Sequence, residues 1–114
     1  TAPAPHMTRP YAEVIGDPIA QSKSPAIHGF WLGKLGIEAE YRATHVKTAE
    51  LDDFLASRRA DRAWRGCNVT MPHKEAVLRD RRMDCVVARA AMIGAANTIV
   101  KKRGKLTADN TDAG

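Results

Sequence analysis

Gly66-Cys67-Asn68-Val69-Thr70-Met71-Pro72-His73-Lys74 is the stretch on which the fold reading turns. Gly66 to Val69 reads as a short buried strand, because Cys67 and Val69 are apolar and the run is bounded by turn formers. Asn68 and Thr70 are polar residues of the kind that end a strand. Pro72 reads as the first residue of a helix carrying Ala76, Val77 and Leu78, since proline at that position loses no hydrogen bond. A strand that runs directly into a helix is the joint of an α/β fold.

The same joint recurs upstream. Tyr11 to Ile15 is a β-prone run closed by the turn residues Gly16-Asp17-Pro18. Ser24-Pro25 then opens a helix, with Ile27, Phe30, Trp31 and Leu35 near helical spacing and Gly36 as its stop. Glu40 to Val46 reads as a second strand, followed by a helix capped at Thr48 with Leu51, Phe54 and Leu55 on one face. Downstream, Val86 to Met92 reads as a further buried helix. Ala95 to Val100 and Lys105 to Ala108 read as a hairpin around Arg103-Gly104. The alternation predicts an α/β three-layer sandwich with a mostly parallel sheet and one antiparallel strand near the C-terminus.

The 114 residues fit one domain, and the 44% hydrophobic and 27% charged fractions are those of a globular protein. No apolar run approaches the roughly 20 residues of a membrane span, and no export signal is visible. The first residues, 1–8, are small and Pro-rich. They read either as a remnant of an expression tag ending at His6, with Met7 as the natural start, or as a short native disordered tail. Cys67 and Cys85 match no zinc or redox spacing, and with no export signal both read as reduced thiols in a cytoplasmic protein. The four histidines form no pair at metal-ligand spacing, so no metal is expected. The net charge of +5 fits a solvated surface or the steering of small anions. Basic clusters at Arg79, Arg81, Arg82 and at Lys101, Lys102, Arg103, Lys105 lack interleaved aromatics, which argues against a nucleic-acid platform.

Ligands of parallel α/β sheets bind at the carboxyl ends of the strands, and four polar clusters fall there. They are Ser22-Lys23-Ser24-Pro25, Asn68 to Lys74, Gly94-Ala95-Ala96-Asn97-Thr98, and Asn110-Thr111-Asp112. Each alone is explained by a cap or a turn; four on one sheet edge point to a site. Ser22 and Ser24 at a helix N-terminus suit a carboxylate. Lys74, expected in the first turn of its helix, opposes the macrodipole there. A lowered pKa for proton transfer, a carboxylate partner such as Asp112, and a snorkelling surface lysine are the three readings open to it.

The ordered set of strings resembles the shikimate dehydrogenase family, specifically its N-terminal substrate-binding domain. The matching residues are Gly16-Asp17-Pro18-Ile19, Ser22-Lys23-Ser24-Pro25 with His28, Gly66 to Glu75, Gly94 to Thr98, and Asn110-Thr111-Asp112-Ala113-Gly114, so the likeness covers 9–114. The resemblance implies reversible, NADP-dependent reduction of 3-dehydroshikimate to shikimate, in the chorismate route to aromatic amino acids. It implies that Ser22 and Ser24 bind the substrate carboxylate. It implies that Asn68, Thr70, Asn97 and Asp112 bind the ring hydroxyls, that Thr111 belongs to the substrate-binding residues, and that Lys74 and Asp112 form the catalytic pair. Gln21 stands where the family often has His.

The chain contains no Gly-x-Gly-x-x-Gly and ends at Gly114, where the family's second domain begins. The NADP-binding Rossmann domain is therefore expected to be absent here, and this chain alone to be inactive. The expected partner is the small-molecule substrate, with no nucleic acid and no membrane, in a monomer or homodimer. The alternatives are a stand-alone module that binds shikimate- or quinate-like acids without turnover, and a basic nucleic-acid-binding domain.

Overall fold

The computed structural model describes residues 10–17, 31, 33 and 40–111. Six strands form one sheet: β1 (Tyr11–Gly16), β2 (Glu40–His45), β3 (Trp64–Val69), β4 (Cys85–Val86), β5 (Thr98–Lys102) and β6 (Lys105–Asp109). The helices are α1 (Leu51–Ala60), α2 (Ala76–Arg79) and α3 (Ala88–Ile93); Trp31 and Gly33 are also helical. The strand order is β2-β1-β3-β5-β6-β4. β1 pairs parallel with β2 and β3, and β4 with β6, while β5 runs against both its neighbours. The expected α/β fold with one reversed strand near the C-terminus is the fold found.

The sheet's two faces differ in kind. One face carries the main core: Tyr11, Ile15, Cys67, Val69, Ile99, Leu106 and Ala108 pack with Leu51, Phe54 and Leu55 of α1 and Val77 of α2. The other face receives Trp31. Strand side chains alternate between faces, and a bulge adjusts that alternation in β3, where the register shifts between Tyr11 and Ala12. Gly66 sits at the shift with φ +149°, and a Cβ there would run into the Ile99 carbonyl and lie 2.7 Å from the Trp31 ring. Only glycine lets the indole lie against the sheet at this point.

Several sequence expectations shift. The Arg103-Gly104 hairpin is present, with both residues at positive φ, but its first strand begins at Thr98 rather than Ala95. The short strand β4 at the sheet edge was not foreseen. The Met71–Pro72 peptide is cis, and the chain passes through tight turns before α2 begins at Ala76, so Pro72 does not start the helix. Lys74 therefore precedes α2 instead of lying in its first turn, and a four-residue helix carries little dipole for it to oppose. The turn ahead of α1 is held by Glu50, whose carboxylate accepts the Lys47 N–H at 2.9 Å, not by Thr48. The helix expected to be buried is the six-residue α3. Ala90 alone is buried in it, while Met92 is 87% and Ile93 56% exposed.

Candidate functional site

The described site residues gather at one end of the sheet, beyond the carboxyl ends of β3 and β6 and at the start of the reversed β5. The β1 and β3 ends are tied first. The Thr70 N–H and hydroxyl both donate to the Ile15 carbonyl, at 2.9 and 2.8 Å, and the Asp17 N–H donates to Met71 O at 3.0 Å. Gly16 makes this possible, because a Cβ there would overlap Thr70 Oγ1. Having given its proton to the backbone, the Thr70 hydroxyl has only lone pairs left to offer.

The next turn is anchored by His73, which is fully buried and donates from Nε2 to the Val46 carbonyl at 2.5 Å. Lys74 follows, half-buried, and its carbonyl accepts the Ala96 N–H at 2.7 Å. The Lys74 turn is thus fastened to the loop before β5. That loop is held from its other side by Asn110, whose Nδ2 donates to Ala95 O at 3.1 Å.

Asn68, Asn97 and Thr111 come together through Thr98. Asn68 Nδ2 donates to Thr98 Oγ1 at 3.4 Å, and Thr98 Oγ1 donates to Asn97 Oδ1 at 2.9 Å. Asn97 Nδ2 donates to Thr111 Oγ1 at 3.1 Å, while the Thr111 N–H donates back to Asn97 Oδ1 at 3.0 Å. At the head of this row, Trp31 Nε1 and Tyr41 Oη each donate to Asn68 Oδ1 at 2.7 Å. Burial, then the nearby Cys67 and Glu13, pushes the Tyr41 phenol well above its ordinary pKa and keeps it a donor. Beside the row, a cleft of about 280 Å³ is lined by Thr98, Thr107, Thr111, Val100 and the Arg89–Asp109 pair. That pair is bidentate, with both contacts at 2.7 Å, and Arg89 holds the Asp109 carboxyl below its usual range.

Five of the expected site residues, Asn68, Thr70, Lys74, Asn97 and Thr111, therefore share one sheet end. Ser22, Ser24 and Asp112 lie outside the described residues. Trp31, Tyr41 and Thr98 were not singled out as site residues from the sequence. Trp31 read as an apolar helix position and Tyr41 as one residue of a weakly alternating strand. The available signal was that both aromatics carry a polar tip, which seeks a partner when buried.

The model of the shikimate dehydrogenase substrate binding domain matches residues 14–99. The chain belongs to that family. It is 61% identical over 105 residues to a shikimate dehydrogenase (NADP(+)) of Sphingopyxis alaskensis, a match covering 91% of this chain and 38% of that protein. The shikimate 5-dehydrogenase of Thermus thermophilus, solved with NADP(H) and shikimate, superposes with a TM-score of 0.76 at 42% identity, over 91% of this chain and 38% of that one. The 5-ketofructose reductase of a Gluconobacter strain superposes equally, with a TM-score of 0.76 at 31% identity, over 91% and 36%. This shikimate dehydrogenase substrate-binding domain thus spans somewhat over a third of the length of the relatives it matches. Among its described residues, no helix is long and apolar enough to cross a membrane.

Proposed function

We propose that this domain binds shikimate and 3-dehydroshikimate within an NADP-dependent shikimate dehydrogenase acting in the cytoplasm, on the route to aromatic amino acids. The observation that carries this reading is the row of amide and hydroxyl groups from Asn68 to Thr111 beside the Lys74 turn, in a chain of this family. A polyhydroxylated ring needs several fixed hydrogen-bonding groups on one surface, and that sheet end supplies them.

In the proposed site, Asn68, Thr70, Asn97 and Thr111 hold ring oxygens, while Ser22 and Ser24 hold the carboxylate. Lys74 donates a proton from Nζ to the oxygen of the ketone as that carbonyl is reduced. In reverse, the amine takes the hydroxyl proton, and Asp112 keeps ammonium and hydroxyl in line. Bound NADP would supply the hydride. The residues of this chain do not fit a dinucleotide, because the sequence lacks the Gly-x-Gly-x-x-Gly turn that admits a pyrophosphate. That binding is assigned to a second domain of the Rossmann type.

The test is turnover by the full-length gene product with shikimate and with quinate, using NADP and NAD. Oxidation of shikimate with NADP is expected, and none by the 114-residue chain alone. Failure to oxidise any of these would sink the reading. Tight shikimate binding without turnover would point instead to a binding module.

A further inference from the structure

The hydrogen-bond row from Trp31 to Thr111 has a direction, and two of its members impose it. An indole nitrogen can only donate. The Asn68 side-chain atom 2.7 Å from Trp31 Nε1 is therefore the oxygen, and the amide nitrogen must face Thr98. A backbone N–H likewise only donates, so the Asn97 atom 3.0 Å from the Thr111 N–H is also oxygen. Between the two amides, the Thr98 hydroxyl accepts from Asn68 and donates to Asn97, which agrees with both assignments. The Asn68 oxygen takes two donors, Trp31 and Tyr41. The Asn97 oxygen takes the Thr98 hydroxyl and the Thr111 N–H. Both amide oxygens are thereby filled. Among the described residues each amide nitrogen has two hydrogens and one partner, so each has an N–H left for a ligand.

We infer that Trp31 is a positioning residue that locks the Asn68 amide with its N–H toward the ligand, so that Asn68 and Asn97 read ligand oxygens only as hydrogen-bond acceptors. This rests on the proposed shikimate site and adds its polarity. The protons of the ligand's hydroxyls at these two positions must go to other groups. A ligand presenting an ammonium at either position meets a donor with a donor and is rejected.

Trp31 and Tyr41 both donate to the same oxygen, and they are not equivalent. If Trp31 is lost, the remaining Tyr41 hydroxyl can accept as well as donate, so the amide can turn over. If Tyr41 is lost, the indole still forbids the flip. In the full-length enzyme, Trp31→Phe is expected to raise KM for shikimate about ten-fold, the scale of one hydrogen bond, with kcat changed less than about three-fold. Tyr41→Phe is expected to raise KM several-fold less than Trp31→Phe does, because the indole still fixes the amide. Equal KM changes in the two variants, or none in either, would overturn the inference, whatever happens to their melting temperatures.

An independent reading comes from the Asn68 side-chain amide resonances of the 15N-labelled protein without ligand. One set of signals is expected in the parent and in Tyr41→Phe, and doubled or broadened signals in Trp31→Phe. A single unchanged set in Trp31→Phe would refute the lock. Should the parent enzyme fail to oxidise shikimate, the functional reading falls, while the amide resonances still decide the polarity.

Discussion

The two faces of the sheet each bury polar groups, and they finish the accounting differently. On the core face, the Glu13 carboxylate is fully buried. It accepts Arg58 Nε at 2.7 Å, Trp64 Nε1 at 2.6 Å and Thr44 Oγ1 at 2.6 Å, with Arg58 NH2 at 3.3 Å. Next to it, Tyr11 donates to Asp61 at 2.5 Å, and Lys101 reaches the Asp61 carbonyl at 2.6 Å. That network joins β1, β2, β3 and α1 and leaves the carboxylate no vacancy. On the opposite face, the row from Trp31 to Thr111 fills its oxygens and keeps its N–H groups in hand. A saturated polar cluster holds a fold, whereas one with spare donors pointing one way can hold a ligand.

This contrast is broken most strongly at Lys74. In the full-length enzyme, Lys74→Ala should lower kcat by about two to four orders of magnitude, the range for a lost general acid or base, with melting temperature little changed. Steady-state kinetics alongside thermal unfolding measure both, and an unaltered kcat would return Lys74 to the surface.

Glu13→Ala should do the reverse. Removing the carboxylate leaves the Arg58 charge and the Trp64 N–H without their partner, and breaking a buried pair in this way costs about 3–5 kcal/mol. Urea unfolding would register the loss. In the fraction that stays folded, KM for shikimate should remain within about two-fold, because sites without shared partners act independently. A large KM change would mean that the two faces are coupled.

A smaller effect is expected at the carboxylate end. Ser22→Ala with Ser24→Ala should raise KM about ten-fold and leave kcat nearly unchanged, since the carboxylate is held alike in ground and transition states. An unaltered KM would move the anion site elsewhere.

The smallest effect belongs to Arg89–Asp109, beside Thr98 on the face opposite the core. Arg89 keeps the Asp109 carboxyl below its ordinary value in the folded chain, and unfolding restores that value. The pair's contribution is therefore present above about pH 4 and is lost as pH falls through the folded value, where both states become protonated. Asp109→Asn should cost little stability at pH 7, as the loss of exposed pairs does. It should also flatten the decline of melting temperature between neutral and acid pH. A variant with the parent's acid slope would show the pair to be without effect.

Much of the fold was legible because it is written locally. Gly16-Asp17 ends β1, Arg103-Gly104 turns the hairpin, and the apolar runs at Tyr11 and Gly66 are strands, each set by the preferences of a few neighbouring residues. Residue type and sheet end marked the polar clusters that contain Asn68, Thr70, Lys74, Asn97 and Thr111, and the family resemblance named those residues within them. Other features were not local. Pro72 could not announce that turns anchored by His73 on Val46 would delay α2, and Glu13 could not announce the Arg58 and Trp64 that neutralise it from 45 and 51 residues away. The roles of Trp31 and Tyr41 are of the same kind. By itself the sequence determined the α/β order, the family and the end of the sheet that carries the polar residues, because periodicity, turns and motifs are short-range. Only the tertiary structure decided which way the amides face. That direction depends on a donor-only indole brought from 37 residues away onto a strand where Gly66 leaves it room.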